Sequence, residues 1–192
     1  LAKRNSEQPS ASRTQSRSNA LSGLLAIRQA ARRDRRVKFT SLLHHVTVEL
    51  LHESFYNLKR DAASGVDGLS WREYAQGLHT RLTVLHDKVH SGRYRAPPVR
   101  RVFIPKADGS DRPLGVTALE DKIVQTAVVQ VLNAIYEQNF LGFSYGFRPG
   151  RGQHDALDAL SVGIQNSRIR WVLDVDIRAF FDTIDHEWMM CF

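Results

Sequence analysis

Two consecutive prolines, Pro97 and Pro98, divide this 192-residue chain into parts that cannot share one helix. Each proline fixes φ and lacks a backbone N–H, so a helix cannot run through the pair. Before them the pattern is helical. Leu42, Leu43, Val46, Leu50, Leu51 and Phe55 recur at helical spacing and predict an amphipathic helix from Thr40 to about Arg60. Ser64-Gly65-Val66-Asp67-Gly68 reads as a glycine-bracketed loop. Ser70 with Glu73 three residues on forms a capping box, opening a second helix whose stripe is Leu78, Leu82, Leu85 and Val89 and whose end is Gly92.

After the prolines the period changes. Val99 to Lys106 and Arg112 to Val116 read as strands around Ala107-Asp108-Gly109-Ser110-Asp111, a hairpin turn signal. A third helix over about Leu119 to Phe140 carries Ile123, Ala127, Val128, Val131, Leu132 and Ile135. Leu141 to Gly152 is a glycine- and aromatic-rich loop, Asp155 to Gln165 is helical again, and Trp171 to Ile177 has the composition of a buried strand ending in carboxylates. Helix, helix, hairpin, helix, helix, strand is an α+β order without βαβ alternation.

Charge is unevenly spread. Residues 1–38 hold ten Lys and Arg against Glu7 and Asp34, whereas the rest of the chain is nearly balanced, although the net charge is +7. The high pI therefore belongs to the leader and says little about the folded part. Residues 1–20 read as a basic tail without order, and Leu21 to Lys38 as a short helix with a positive face or a solvated charged segment. Cys191 is the single cysteine, which excludes a disulfide framework or a zinc cluster. His44, His45 and His52 lack the acidic or cysteine partners of a metal site. No apolar stretch approaches the length of a membrane span and no signal pattern opens the chain, so the expected location is the cytoplasm, with no membrane partner.

The end of the last strand carries the chemistry. Asp174 and Asp176 are two residues apart and share a face on a regular strand. A carboxylate among apolar residues is costly unless paired, and a hard cation such as Mg²⁺ would pair it. A helix cap or a surface salt bridge explains the same dipeptide spacing equally well.

Asp176-Ile177-Arg178-Ala179-Phe180-Phe181-Asp182-Thr183-Ile184-Asp185-His186 resembles the first palm motif of group II intron reverse transcriptases. Three earlier blocks follow the same family in order. Arg101-Val102-Phe103-Ile104-Pro105-Lys106 with Gly109 and Arg112-Pro113-Leu114-Gly115 is similar to its fingers hairpin. Glu120 to Gln125 and Ser144 to Arg151 match the next two blocks.

The resemblance, over roughly residues 39–188, implies a right-hand polymerase. Residues 1–38 would be a largely disordered basic leader, 39–170 the fingers, and 171–192 the start of a palm. It implies an RNA-directed DNA polymerase acting on an RNA template (intron RNA), a DNA primer and dNTPs, with a role in splicing. Asp176 would be the first carboxylate of a two-Mg²⁺ site and the Ile177 carbonyl a further ligand. Lys106 and Arg112 would meet the incoming triphosphate, and Phe181 would exclude the ribose 2′-hydroxyl. Gly65, Val66, Asp67 and Gly68 resemble the loop that closes over the template. Arg93, Arg100, Arg101, Arg148 and Arg151 would face RNA, with internal salt bridges the equal alternative for the last two. Asp182, Asp185 and His186 are expected to order the following helix. The family's Y-A-D-D block is absent from this sequence, so the chain reads as a fragment, inactive alone, whose unfinished palm edge is open to self-association. The competing reading is a catalytically inactive RNA-binding fragment of a maturase.

Overall fold

The computed structural model describes residues 11–107, 109–167, 169–178 and 180–191, with side chains from residue 22 onward; the first ten residues of the expected tail lie outside it. The elements are α1 (Ala11–Arg33), α2 (Val48–Asn57), α3 (Trp71–Ala75), α4 (Leu78–His90), β1 (Arg100–Pro105), β2 (Asp111–Val116), α5 (Leu119–Tyr136), α6 (Gln153–Asn166), α7 (Phe180–Thr183) and α8 (His186–Met189). The described residues are α+β, with helices and one two-stranded antiparallel sheet. It divides into two compact units, residues 1–140 and 141–192. Among the described residues no helix is long and apolar enough to cross a membrane.

The first unit is built on helix stripes. Leu50, Leu51 and Phe55 of α2, Leu78, Leu82 and Leu85 of α4, and Leu119, Ile123, Ala127, Val131 and Ala134 of α5 form one buried cluster with Tyr74. Phe55 stacks on Trp71 with ring centroids 4.5 Å apart, and the Trp71 indole N–H donates to the Phe55 carbonyl at 3.2 Å. The Ser70–Glu73 capping box forms as expected, with the Ser70 amide donating to the Glu73 carboxylate at 2.9 Å.

Three expectations change here. The leader is not a tail throughout: α1 starts at Ala11 and buries Ile27 and Ala31, packing on α2 and α5, because its Leu24-Ile27-Ala31 spacing gives a helical apolar face. The helix expected from Thr40 is a 3-10 turn at Leu43–His45 followed by α2, since Thr47 caps α2 by accepting from the Leu50 amide at 3.2 Å. The second helix breaks between α3 and α4 at Gly77, whose φ of 70° lies in the left-handed region.

In the second unit α6 is preceded by a loop, and the Asp155 carboxylate accepts from the Gly152 amide at 2.6 Å to start the helix. The largest correction is at Trp171–Ile177, which forms no strand and is exposed, Trp171 by 91% and Leu173 by 87%. A strand exists only as one side of a ladder, and among the described residues the two strands present pair with each other.

Candidate nucleotide and template site

The hairpin sets the geometry of the first group of residues. Its register pairs Arg100 with Val116, Val102 with Leu114, Ile104 with Arg112 and Pro105 with Asp111. The turn closes by the Lys106 amide donating to the Ser110 carbonyl at 2.7 Å and the Gly109 amide to the Lys106 carbonyl at 3.1 Å, with Gly109 at φ 80°. Ile104 sits opposite Arg112, and Lys106 follows two residues on, so strand alternation places Lys106 and Arg112 at one end of the hairpin. Both side chains are exposed and make no ion pair or hydrogen bond among the described residues. Two exposed cations at one end of a hairpin can bind phosphates, one as a point charge and one as a planar fork.

The Ser64–Gly68 loop is held from both sides. Gly65 is buried, and a Cβ there would lie 2.5 Å from the Ala118 Cα and 2.6 Å from the Ala118 nitrogen. That glycine is thus used in packing against the start of α5, while Val66, Asp67 and Gly68 stay exposed. The Asp67 carboxylate accepts from the Leu69 amide at 3.3 Å, and Gly68 has φ 66°. Arg100 donates through Nε and Nη2 to the Ser64 carbonyl at 3.2 and 2.9 Å. Arg93 donates to the Ser91 hydroxyl at 2.9 Å, whereas Arg101 is exposed without a side-chain partner among the described residues.

The first turn of α5 carries a polar cluster that sequence reasoning missed. The Tyr74 hydroxyl donates to Glu120 at 3.2 Å, and the Tyr94 hydroxyl to Asp121 at 3.2 Å. Gln125 donates to the other Asp121 oxygen at 2.6 Å, satisfying a carboxylate that is buried. Burial first, then the neighbouring carboxylate, pushes both tyrosine hydroxyls well above the usual phenol range, so they act as donors. The signal was the pair of acids at a helix N-terminus, where the dipole favours negative charge.

In the second unit, Arg148 and Arg151 fold their own loop. Arg148 is buried and donates to the Leu141 and Ser144 carbonyls at 3.1 and 2.7 Å. Arg151 donates to the Gly142 and Ser144 carbonyls and lies 5.1 Å from the centre of the Tyr145 ring. Both arginines hold backbone carbonyls of their own loop. Asp185 accepts from the Glu187 and Trp188 amides at 2.8 and 3.0 Å, capping α8 as expected. Phe181 lies in α7, its side chain outside the described residues.

Asp174 and Asp176 sit exposed in the segment between α6 and α7. The Asp176 carboxylate and Ile177 carbonyl are hard oxygen donors, the kind Mg²⁺ takes together with substrate phosphates. Among the described residues no cluster of three or more His, Cys, Asp or Glu is gathered to hold a metal. The donor chemistry fits magnesium; the number of donors makes a partial ligand set.

A family model, reverse transcriptase (RNA-dependent DNA polymerase), matches residues 104–191, from β1 through α8. The group II intron-encoded protein LtrA of Lactococcus lactis subsp. cremoris is 32% identical over 151 residues, 77% of this chain and 25% of that protein. The chain carries a reverse transcriptase match and is similar to group II intron-encoded proteins. Protein YkfC of Escherichia coli strain K12 is 40% identical over 129 residues, 66% of this chain and 34% of that protein. A putative COX1/OXI3 intron 2 protein of Saccharomyces cerevisiae is 35% identical over 113 residues, 57% and 12% of the two chains. The chain therefore spans at most about a third of the length of these relatives. Within the reverse transcriptase match lie Lys106 and Arg112, the α5 polar cluster on its helix side, the Arg148–Arg151 loop and Asp176.

Proposed function

We propose that the protein of which this chain forms part is an RNA-directed DNA polymerase that copies intron RNA from a DNA primer with dNTPs and assists splicing. Residues 39–170 serve as fingers and 171–192 as the start of the palm of a right-hand polymerase. The observation that carries this reading is the hairpin: it presents Lys106 and Arg112 exposed at one end, without an ion pair among the described residues, inside a chain with a reverse transcriptase match.

In this reading Lys106 and Arg112 bind and orient the triphosphate of the incoming nucleotide. Phe181 stands against the ribose and rejects a 2′-hydroxyl. Val66, Asp67 and Gly68 line the template, and Arg101 and Arg93 contact its phosphates, with Arg100, Arg148 and Arg151 acting through the loops they hold. Asp176 and the Ile177 carbonyl would hold magnesium together with donors from elsewhere in the protein. Bound there, Mg²⁺ supplies activation of the primer hydroxyl and neutralisation of phosphate charge. One catalytic carboxylate does not complete such a site, so residues 1–192 alone do not synthesise DNA.

The deciding experiment is Asp176→Asn in a full-length protein carrying this sequence. Primer extension on RNA with Mg²⁺ and dNTPs should fall to background while RNA affinity stays within about twofold, since the change keeps shape and removes the metal-binding charge. Equal losses of RNA binding and synthesis would make Asp176 structural and sink the reading.

A further inference from the structure

We infer that Arg100 and Lys122 are positioning residues for the template, forming with Gly65 a clasp that fixes the Ala63–Gly68 loop against the hairpin and α5. This rests on the polymerase reading, which gives the loop its template. Lys122 reaches from the first turn of α5 and donates through Nζ to the Ala63 carbonyl at 2.8 Å. Arg100, the first residue of β1, holds the next carbonyl, that of Ser64, with two nitrogens at 3.2 and 2.9 Å. Gly65 then packs its backbone on Thr117 and Ala118, where a Cβ would come within 2.8 Å of the Thr117 carbonyl oxygen.

Three successive residues of an otherwise exposed loop are thus anchored by partners from two other elements. Beyond the anchor the tip turns outward: the Gly68 amide bonds the Gly65 carbonyl at 3.3 Å, and Val66 is 55% exposed. Gly65 meets the core at Ala118, whereas Lys122 and Arg100 hold backbone carbonyls of the loop. What it fixes is the tip. Charged donors on carbonyls make the stronger class of hydrogen bond, and holding a binding loop in place before its ligand arrives spares the ordering cost at binding. Because Arg100 begins the strand that leads to Lys106, one hairpin carries both an anchor of the template loop and the proposed triphosphate-binding cation.

The test uses a full-length protein carrying this sequence, with Lys122→Met and Arg100→Gln singly and together. Amide hydrogen exchange at residues 66–69 should rise, affinity for a primed RNA template should fall roughly tenfold in the double variant, and single-nucleotide kcat should stay within about twofold. Lys122→Arg should restore both exchange protection and affinity. Adding Val66→Ala to the double variant should cost little further affinity, because a displaced tip no longer contributes. Faster exchange with wild-type template affinity would make the clasp purely structural and overturn the proposal. Additive losses with Val66→Ala would overturn it too, showing that Lys122 and Arg100 touch RNA themselves. Where the double variant melts lower, the single Lys122→Met variant is judged by the same outcomes. Exchange and RNA affinity are read without DNA synthesis, so the fate of Asp176→Asn tests the polymerase reading separately.

Discussion

Residues 1–140 and 141–192 carry similar apolar patterns, yet they use them in opposite ways. In the first unit the stripes of α2, α4 and α5 close on one another, and Phe55, Leu82 and Ile123 lose all contact with water. In the second, among the described residues, Arg148 alone is buried, and it is held by carbonyls of its own loop. Leu157, Leu160 and Ile164 of α6 follow helical spacing but stay about half exposed, at 52, 51 and 44%. Periodicity fixes which face a helix will bury; it does not supply the surface that covers the face. The two groups of proposed site residues divide in the same way. The proposed template loop is anchored at the start of α5 through Gly65 and Lys122, whereas Asp176 lies in an exposed segment.

Removing one ring from each unit gives the largest contrast. Phe55→Ala opens a cavity among Trp71, Tyr74 and the α5 stripe, at a cost of about 3–5 kcal/mol. Leu173→Ala, at a position 87% exposed, should change stability by no more than about 0.5 kcal/mol. Denaturant unfolding of the chain measures both. Comparable losses would break the contrast, because Leu173 would then be buried in solution.

The same division explains what was legible in the sequence. The Ser70–Glu73 box and the hairpin involve residues a few positions apart, so residue type alone carried them. Gly77 was missed as a break because a glycine within a helical pattern gives no sign of its φ. Trp171–Ile177 has the right composition for a strand, but a ladder depends on a neighbour that a local pattern does not contain. Among site residues, Lys106, Arg112 and Asp176 were visible through their charge and motif. Lys122 was not, since its partner is a backbone carbonyl 59 residues away that leaves no trace in the sequence. Arg148 and Arg151 were visible as arginines, while their acceptors, again carbonyls, were hidden.

Two glycines sharpen the comparison further. Gly65→Ala would drive a methyl into the backbone of Thr117 and Ala118, which has no flexible end to give way, and should cost about 1–3 kcal/mol. Gly163 lies within α6 with open space around its position, so Gly163→Ala should stabilise that helix by about 0.5–1 kcal/mol. Thermal melting followed by circular dichroism gives the two signs. If both changes destabilise, α6 is closely packed in solution and the units are more alike than described.

Alkaline unfolding should be a property of the first unit. Burial first and then Glu120 raise the Tyr74 hydroxyl; burial and then Asp121 raise that of Tyr94. Unfolded tyrosine releases its proton near pH 10, roughly, while the folded groups keep theirs. The unfolded state therefore binds fewer protons above that pH, and stability falls as pH rises, having been constant with respect to these groups below it. Tyr74→Phe loses a hydrogen bond worth about 1 kcal/mol at neutral pH but should flatten the alkaline decline. Fluorescence of Trp71, isolated by Trp171→Phe and Trp188→Phe, follows the first unit alone. A decline equally steep in Tyr74→Phe would assign the alkaline transition to other groups.

The smallest effect is the most exacting test of α6. Leu160 belongs to its apolar stripe, and the matching position in a packed helix, Leu82 of α4, is fully buried. Leu82→Ala should cost about 2–5 kcal/mol, through lost transfer energy and the cavity left behind. At Leu160 the side chain is 51% exposed, so little transfer energy is available to lose, and alanine is the better helix former by a few tenths of a kcal/mol, roughly. The two terms nearly cancel, and Leu160→Ala should move the midpoint of unfolding by less than the equivalent of about 0.5 kcal/mol. The contrast also predicts a conditional result. In a full-length protein of this type, where further chain is present to cover the stripe, the same substitution should become costly and approach the Leu82 value. A null effect in both settings would show that the stripe never acquires a partner, and a large effect in residues 1–192 would show that it already has one.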